Sequence, residues 1–115
     1  MPLVYKVLPG AAWQAALAIG TYFGSPDDVR DGFIHFSTAA QLAETLRKHF
    51  AGARDLTLLT VDTGAVPPDS AWRWEPSRGG ELFPHLYAPL PVSAVRKAQA
   101  LVLNAAGVHE LPALD

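Results

Sequence analysis

A seven-residue stretch, LTLLTVD at residues 56–62, decides the expected fold. It is apolar along nearly its whole length, whereas a strand with one solvated face alternates apolar and polar side chains. A nearly continuous apolar run of this length is typical of a strand that is buried on both faces. We therefore expect Leu56–Asp62 to form a central strand, with the other elements arranged around it.

The N-terminal part of the chain predicts a strand, a helix and a loop. Residues 3–8 form an apolar run of strand length, and residues 11–19 carry apolar side chains at helical spacing. Residues 24–28 are polar and contain Gly and Pro, which predicts a loop.

The later patterns predict a second helix and more strands. Thr38 and Gln41 have the spacing of a capping box, so we expect a helix to begin near Thr38 and to end at Gly52. Further strands are expected at residues 33–36, 71–75, 82–88 and 108–111, while residues 94–103 fit either a strand or a helix. This order predicts a single α+β domain over residues 1–115, with a bent, split and mostly antiparallel sheet and about two helices.

Composition narrows the class of protein. The 115 residues carry 9 Lys and Arg against 11 Asp and Glu, a net charge of −2, so nucleic acid is not an expected partner. There is no cysteine, which excludes disulfides, thiolate zinc sites and a cysteine nucleophile. The first residues lack the pattern of a signal peptide, and no apolar stretch reaches the ~20 residues of a membrane span. We expect a cytoplasmic protein without a membrane partner.

Two segments place a histidine in an apolar run, where a core strand normally carries Val or Ile. They are GFIHFS at residues 32–37 and LFPHLY at residues 82–87. Burying a ring nitrogen without a partner costs roughly 1–3 kcal/mol. For either histidine alone, a structural role with satisfied hydrogen bonds is an equally good explanation. The two together favour a ligand site.

His35 and Ser37 stand two residues apart on a predicted strand, so their side chains face the same side. A histidine and a hydroxyl at this spacing can hold a ribose, with the imidazole on one ring hydroxyl and the serine on its neighbour. The structural alternative is that Ser37 ends the strand and helps to cap the following helix.

His85 shares one face of the second segment with Phe83 and Tyr87, so that an imidazole lies between two aromatic rings. We expect these side chains to form a wall of a ligand pocket. The alternative is an ordinary aromatic cluster with its polar tips in solvent. Pro84 cannot donate a ladder hydrogen bond, so this strand is expected to be an edge strand, to be bulged, or to begin there.

The segment WEPSRGG at residues 74–80 lies at the end of a predicted strand and continues into a loop. Such a loop can close on a substrate. Trp74 would then stack on a ring, Arg78 would bind an anion, and Glu75 would transfer a proton or contact a cation. An exposed turn is the structural alternative. No HxH or HExxH spacing supports a metal site of His35, His85 and Glu75, so no metal is expected.

These motifs together resemble a known family. The chain resembles the small bacterial family catalogued as domain of unknown function 952, through residues 32–37 with Gln41, Leu58-Leu59 with Val61-Asp62, Trp74-Glu75 and residues 83–87. Position 88 is Ala, where the family is expected to have Gly. That family is similar to the ADP-ribosyltransferase fold, and within it to the branch that includes RNA 2′-phosphotransferases.

The resemblance implies a cleft in a bent, split sheet that binds NAD or an ADP-ribosyl group. It implies that His35 and Ser37 contact the adenosine-side ribose. It gives His85 the place of a second-strand Tyr or His beside the nicotinamide, and Glu75 the place of a later-strand acid. Glu75 precedes His85 in this chain, which departs from the family order.

We therefore expect a small-molecule ligand, with NAD or ADP-ribose as the candidate, and ADP-ribosyl or phosphoryl transfer as the chemistry. The catalytic candidates are Glu75 and His85, and the candidate ligand contacts are His35, Ser37, Trp74, Arg78, Phe83 and Tyr87. Two alternatives stay open. One is a non-catalytic binding module that uses the same cleft, and the other is a structural or interaction protein, as a homodimer, whose histidines satisfy core hydrogen bonds.

Overall fold

Two three-stranded antiparallel sheets form the framework of the protein, seen in a computed structural model that describes residues 2–77 and 80–114. The strands in chain order are β1 Leu3–Pro9, β2 Thr21–Tyr22, β3 Ile34–His35, β4 Leu56–Asp62, β5 Trp72–Pro76, β6 Leu82–Leu86, β7 Leu90–Pro91, β8 Val95–Ala100, β9 Val102–Leu103 and β10 His109–Glu110. The helices are α1 Gly10–Ile19, α2 Pro26–Asp31 and α3 Leu42–His49. Short 3₁₀ turns lie at Ala39–Gln41, Thr63–Ala65, Asp69–Ala71 and Val92–Ala94.

The first sheet has the order β1-β4-β8, with β4 in the centre as its apolar sequence predicts. Leu58 and Leu59 face opposite sides of β4, and neither has exposed surface. Leu59 packs in one core cluster with Trp13, and Leu58 packs in a second cluster with Leu42 of α3. The prediction of a strand buried on both faces is confirmed.

The second sheet has the order β3-β6-β5, and it corrects the prediction for Pro84. This proline lies inside the central strand β6, not on an edge strand or at a strand start. Its carbonyl accepts from the amide of Phe36 at 3.0 Å. The N–H and C=O of one residue in an antiparallel strand point to the same neighbour, so the donor that Pro84 lacks would also have faced Phe36. The ladder between β5 and β6 therefore loses no hydrogen bond.

The chain changes sheets directly after this point. Ser37 exchanges two backbone hydrogen bonds of 2.8 Å with Tyr5 of β1, so the segment after β3 leaves β6 and pairs with the first sheet. The two sheets are thus joined at Ser37 and Tyr5. The sequence predicts one bent, split sheet, and the structure has two antiparallel sheets that this pair of hydrogen bonds connects.

The helices differ from the prediction in number and in extent. Helix α1 lies where it is expected, whereas α2 occupies a segment predicted as a loop, so there are three α-helices rather than two in the described ranges. Ser25 and Asp28 form a capping box with Pro26 in the first turn, and these caps stabilise a helix too short to show periodicity. The capping box of Thr38 and Gln41 is confirmed.

Several boundaries are shorter than predicted. Helix α3 ends at His49, not at Gly52, because Phe50 leaves the helical backbone at φ −129° and packs against the second core cluster. Strand β3 has two residues, and β6 ends at Leu86, so Tyr87 and Ala88 lie beyond the strand. Residues 95–100 and 102–103, which fitted either element, are strands.

The remaining strand pairs are β2 with β7 and β9 with β10, both antiparallel. With the two larger sheets and three helices, they give an α+β fold built on antiparallel sheets. In residues 2–77 and 80–114 no helix has the length and apolarity needed to cross a membrane.

Candidate functional site

The two histidines of the predicted site lie directly opposite each other. Ile34 pairs with Leu86 and His35 with His85 across β3 and β6. Because Ile34 and Leu86 face the core, the histidines face the other side of the sheet. Their ring centroids are 5.3 Å apart at an interplanar angle of 71°.

Both histidines line one cleft of about 540 Å³. Strand β1 of the first sheet, the β3–β6 pair of the second sheet, and residues of α2 and α3 enclose it. Ser37 and Phe83 line the same cleft, so four of the predicted site residues are brought together there.

His35 contacts a carboxylate with each of its ring nitrogens. Nδ1 lies 2.6 Å from Asp28 Oδ1, and Nε2 lies 3.0 Å from Asp31 Oδ2. Ionised carboxylates only accept hydrogen bonds, so both contacts are satisfied by a ring that carries a proton on each nitrogen. A ribose hydroxyl at His35, as the sequence predicts, would have to replace the carboxylate of Asp31.

Asp28 anchors this side of the cleft. Its Oδ2 accepts from Lys6 Nζ at 2.9 Å and from the amide of Ser25 at 2.8 Å, and its Oδ1 accepts from the amide and ring of His35. Burial acts to raise the pKa of Asp28, but the hydrogen bond from His35 and the charge of Lys6 outweigh it, so this pKa lies well below its usual range. Burial lowers the pKa of Lys6, and the charge of Asp28 opposes that shift.

Glu75, His85 and Tyr87 form a second polar cluster. Glu75 Oε1 accepts from the Tyr87 hydroxyl at 2.7 Å and lies 2.8 Å from His85 Nδ1. These two hydrogen bonds lower the pKa of Glu75, and the bond to Glu75 raises the pKa of the Tyr87 phenol. His85 is only 3% exposed, and its Nε2 has no hydrogen-bond partner among the described residues. Three of the residues that the sequence proposes for the site are therefore in contact with one another.

An aromatic ring that the sequence argument did not select lies between the two clusters. Phe33 stacks on His85 at 4.1 Å between ring centroids and lies 4.6 Å from the ring of His35 and 5.1 Å from that of Tyr87. The guanidinium of Arg73 lies over the Tyr87 ring at 4.5 Å. Packing on Phe33 holds the orientation of both imidazoles.

The other predicted site residues are placed as follows. The buried hydroxyl of Ser37 lies 3.0 Å from that of Thr45, and Thr38, not Ser37, caps the following turn. Trp74 pairs with Pro84 and so projects from the face of β5 opposite to Glu75; its side chain is largely exposed. Arg78 lies outside the described residues.

His35, Asp28 and Asp31 bring potential metal ligands close together. In the part of the chain that the structure describes, no group of three such residues is placed to hold one ion.

The sequence has counterparts in a family of proteins. The family model described as "Protein of unknown function (DUF952)" matches residues 7–98. The chain belongs to the DUF952 family. The resemblance to that family is thereby confirmed, whereas the similarity to the ADP-ribosyltransferase fold gains no support from this match and stays a prediction.

Solved structures of a protein of similar length agree with the fold. The crystal structure of protein CC0527 from Caulobacter crescentus is 46% identical, with a TM-score of 0.87 over 94% of this chain and 93% of that one. Its solution NMR structure is 49% identical, with a TM-score of 0.82 over 94% and 91%. Neither of these structures comes with an assigned activity. No curated protein matches the chain.

The residues that sequence reasoning missed in this DUF952 member did leave signals. Lys6 lies in an otherwise apolar strand, and a buried ammonium requires an acid nearby. Ser25 and Asp28 have capping-box spacing around Pro26, which marks a helix start and would have identified that acid.

Proposed function

We propose that this protein binds a ribose-containing small molecule in the cleft, with NAD and ADP-ribose as the first candidates. One observation carries the proposal: His85 Nε2 is buried, belongs to a side chain that lines the cleft, and has no partner in the described ranges. An unsatisfied buried ring nitrogen costs roughly 1–3 kcal/mol, and a hydroxyl that donates to it removes that cost.

The chemistry of His85 specifies the kind of group that it contacts. Glu75 only accepts at Nδ1, so Nδ1 carries the proton and Nε2 of the neutral ring presents a lone pair. The matching ligand group is a donor such as a sugar hydroxyl. Since Tyr87 fixes Glu75 and Phe33 stacks on the imidazole, the lone pair is held in one direction before the ligand arrives.

The remainder of the cleft suits a nucleotide-sized ligand. Its volume of about 540 Å³ is typical of small-molecule sites. Phe83 provides an aromatic side chain in the lining, and His35 and Ser37 provide polar groups. We keep Arg78 as the expected contact for a phosphate.

The pair of Glu75 and His85 also suits a general base. In a transfer reaction, the hydroxyl that donates to His85 Nε2 is that of the acceptor instead of the ribose, and Nε2 takes its proton as the acceptor oxygen forms a bond to C1′ of the ribose. The glycosidic bond breaks and its electron pair leaves with the departing group, which is neutral nicotinamide when the donor is NAD. Glu75 stabilises the protonated imidazole that results.

Isothermal titration calorimetry with NAD, ADP-ribose and adenosine tests the binding. The wild type should bind at least one of them in the millimolar range or better, and His85→Asn and His35→Ala should weaken that binding at least tenfold. Glu110→Gln is the control, because Glu110 is exposed on β10 and does not line the cleft. No heat from any ligand at millimolar concentration, or equal binding by His35→Ala, would remove the proposal.

Turnover is a separate measurement. Release of nicotinamide from NAD, followed by chromatography, should be reduced by Glu75→Gln and unchanged by Glu110→Gln. Binding without any release, with Glu75→Gln binding like the wild type, would instead identify a non-catalytic binding module.

A further inference from the structure

The two carboxylates that contact His35 differ in how firmly they are held. Asp28 is 2% exposed and accepts four hydrogen bonds from Lys6, Ser25 and His35. The side chain of Asp31 is 33% exposed and lies at the last residue of α2. The other oxygen of Asp31 accepts from Arg30, whose own side chain is 67% exposed.

This asymmetry makes one contact permanent and the other exchangeable. Exposed ion pairs contribute little to stability, because water screens the charges and two long side chains must be immobilised. If the buried carboxylate of Asp28 moved away, its four donors would remain buried without an acceptor, which is unfavourable. His35 Nδ1 therefore stays on Asp28, while Nε2 can exchange Asp31 for another acceptor.

The acceptor that Nε2 favours is an anion. His35 Nε2 lies 3.0 Å from a carboxylate oxygen of Asp31, and a ring nitrogen that carries a proton pairs favourably with such a negatively charged oxygen. His85, whose ring centroid is 5.3 Å from that of His35, has the opposite character: its Nε2 is buried, lacks a partner among residues 2–77 and 80–114, and accepts. The cleft thus places a site for an anion beside a site for a hydroxyl.

We propose that the Asp31 carboxylate holds the place of a phosphate of the ligand, and that binding displaces it from His35 Nε2. The inference rests on the proposed ligand cleft and narrows its ligand class to phosphorylated ribosides, with a hydroxyl on His85 and a phosphate oxygen on His35. Asp31 then lowers the affinity of the cleft for phosphorylated ribosides, because its carboxylate competes with their phosphate. The affinity for neutral nucleosides does not depend on Asp31. His35 takes the phosphate instead of the ribose hydroxyl that the sequence predicts.

The helix offers a matched control for removing this charge. Asp27 lies on the same helix, lines the same cleft and contacts the same Arg30, at 3.1 Å from Nη1. Its contacts in the described structure do not include His35. Asp31→Asn and Asp27→Asn therefore remove the same charge from the same wall, and only the first removes it from the contact with His35 Nε2.

Titration calorimetry with ADP-ribose and with adenosine separates the two effects. Asp31→Asn should increase the affinity for ADP-ribose roughly two- to fivefold, which corresponds to the free energy of an exposed ion pair. The same variant should leave adenosine unchanged, and Asp27→Asn should change ADP-ribose by less than half as much. Asp31→Ala, which removes the side-chain acceptor as well, should tighten ADP-ribose at least as far as Asp31→Asn.

Inorganic phosphate provides a probe that does not depend on the nucleoside. In ¹⁵N spectra of the imidazoles, phosphate should shift His35 at lower concentration in Asp31→Asn than in Asp27→Asn. Equal affinities in the two variants, for both phosphate and ADP-ribose, overturn the role of Asp31 while the cleft proposal stands. If phosphate shifts the ¹⁵N signals of His35 as expected but neither ADP-ribose nor adenosine binds, the ribose-binding proposal fails and the anion site is retained. If phosphate shifts the ¹⁵N signals of His35 in neither variant, the inference is overturned.

Discussion

Replacing Asp28 by Asn tests whether one buried carboxylate holds the wall of the cleft. Asp28 Oδ2 accepts from Lys6 Nζ at 2.9 Å, and both side chains are nearly inaccessible to water. Asparagine has almost the same shape but no charge, and one of its two terminal atoms donates where Asp28 accepts. The substitution therefore leaves the ammonium of Lys6 buried without a counter-charge.

The expected loss is large for a domain of this size. Removing one member of a buried ion pair costs about 3–5 kcal/mol. At about 0.05–0.15 kcal/mol per residue, the chain has a free energy of unfolding on the order of 6–17 kcal/mol. With an unfolding entropy of about 2.1 cal/mol/K per residue, each kcal/mol of lost stability lowers the thermal unfolding midpoint by about 4 °C. We therefore expect this midpoint to fall by about 12–20 °C.

Urea and thermal unfolding, followed by circular dichroism, measure this loss. Asp27→Asn is the control, because Asp27 is exposed, and it should change stability by less than about 0.5 kcal/mol. If the orphaned ammonium is the cause, Lys6→Met in the Asp28→Asn background should recover at least about 2 kcal/mol. A double variant no more stable than Asp28→Asn would refute this reasoning.

The pH dependence gives an independent check on Asp28. Its pKa in the folded protein is lowered: burial opposes the shift, but the hydrogen bond from His35 and the charge of Lys6 exceed it. The stabilisation is therefore fully present above the unfolded pKa of about 3.9 and is lost as the pH falls through the lower folded value. The difference between wild type and Asp28→Asn should narrow below about pH 4. A difference that stays constant from pH 7 down to acid unfolding contradicts the assignment.

Two further substitutions probe the surroundings of the site. Gly24→Ala should cost about 2–3 kcal/mol in urea unfolding, because the new Cβ would lie 2.7 Å from Asp28 Cβ at a backbone φ of +112°. Gly107→Ala is its control, with φ +78° and no described atom within 4 Å of the new Cβ, and should cost about 1 kcal/mol; equal losses would show that the contact with Asp28 is irrelevant. Tyr87→Phe removes the hydroxyl that donates to Glu75, so the pKa of Glu75 should rise toward its ordinary value, which ¹³C NMR titration of the carboxyl group measures. An unchanged titration midpoint would mean that the hydrogen bond does not form in solution.

Local patterns predicted those parts of the fold whose cause is local. The apolar run around Leu58 and Leu59 identified the central strand, because burial on both faces leaves no room for polar side chains. The capping box at Thr38 identified a helix start for the same kind of reason, since its hydrogen bonds lie within four residues. Helix α2 was missed because its six residues are too few for apolar periodicity, although its caps were present.

The site depended on contacts that no local pattern contains. The presence of His35 and His85 in apolar runs indicated a shared site, but their opposition comes from the register between β3 and β6. Asp31 on Nε2 of His35 could not be predicted, because it requires the orientation of α2 relative to the sheet. Pro84 misled the prediction in a similar way: its missing donor marks the end of pairing with β3, not the edge of the sheet.

The junction at Ser37 and Tyr5 has a mechanical consequence. Both residues line the cleft, which thus spans the seam between two sheets that meet there through a pair of backbone hydrogen bonds. A molecule seated in the cleft would touch β1 on one side and the two histidines on the other, and so act as a crosslink between the halves of the protein. Binding in the cleft would then restrain the movement of the two sheets relative to each other.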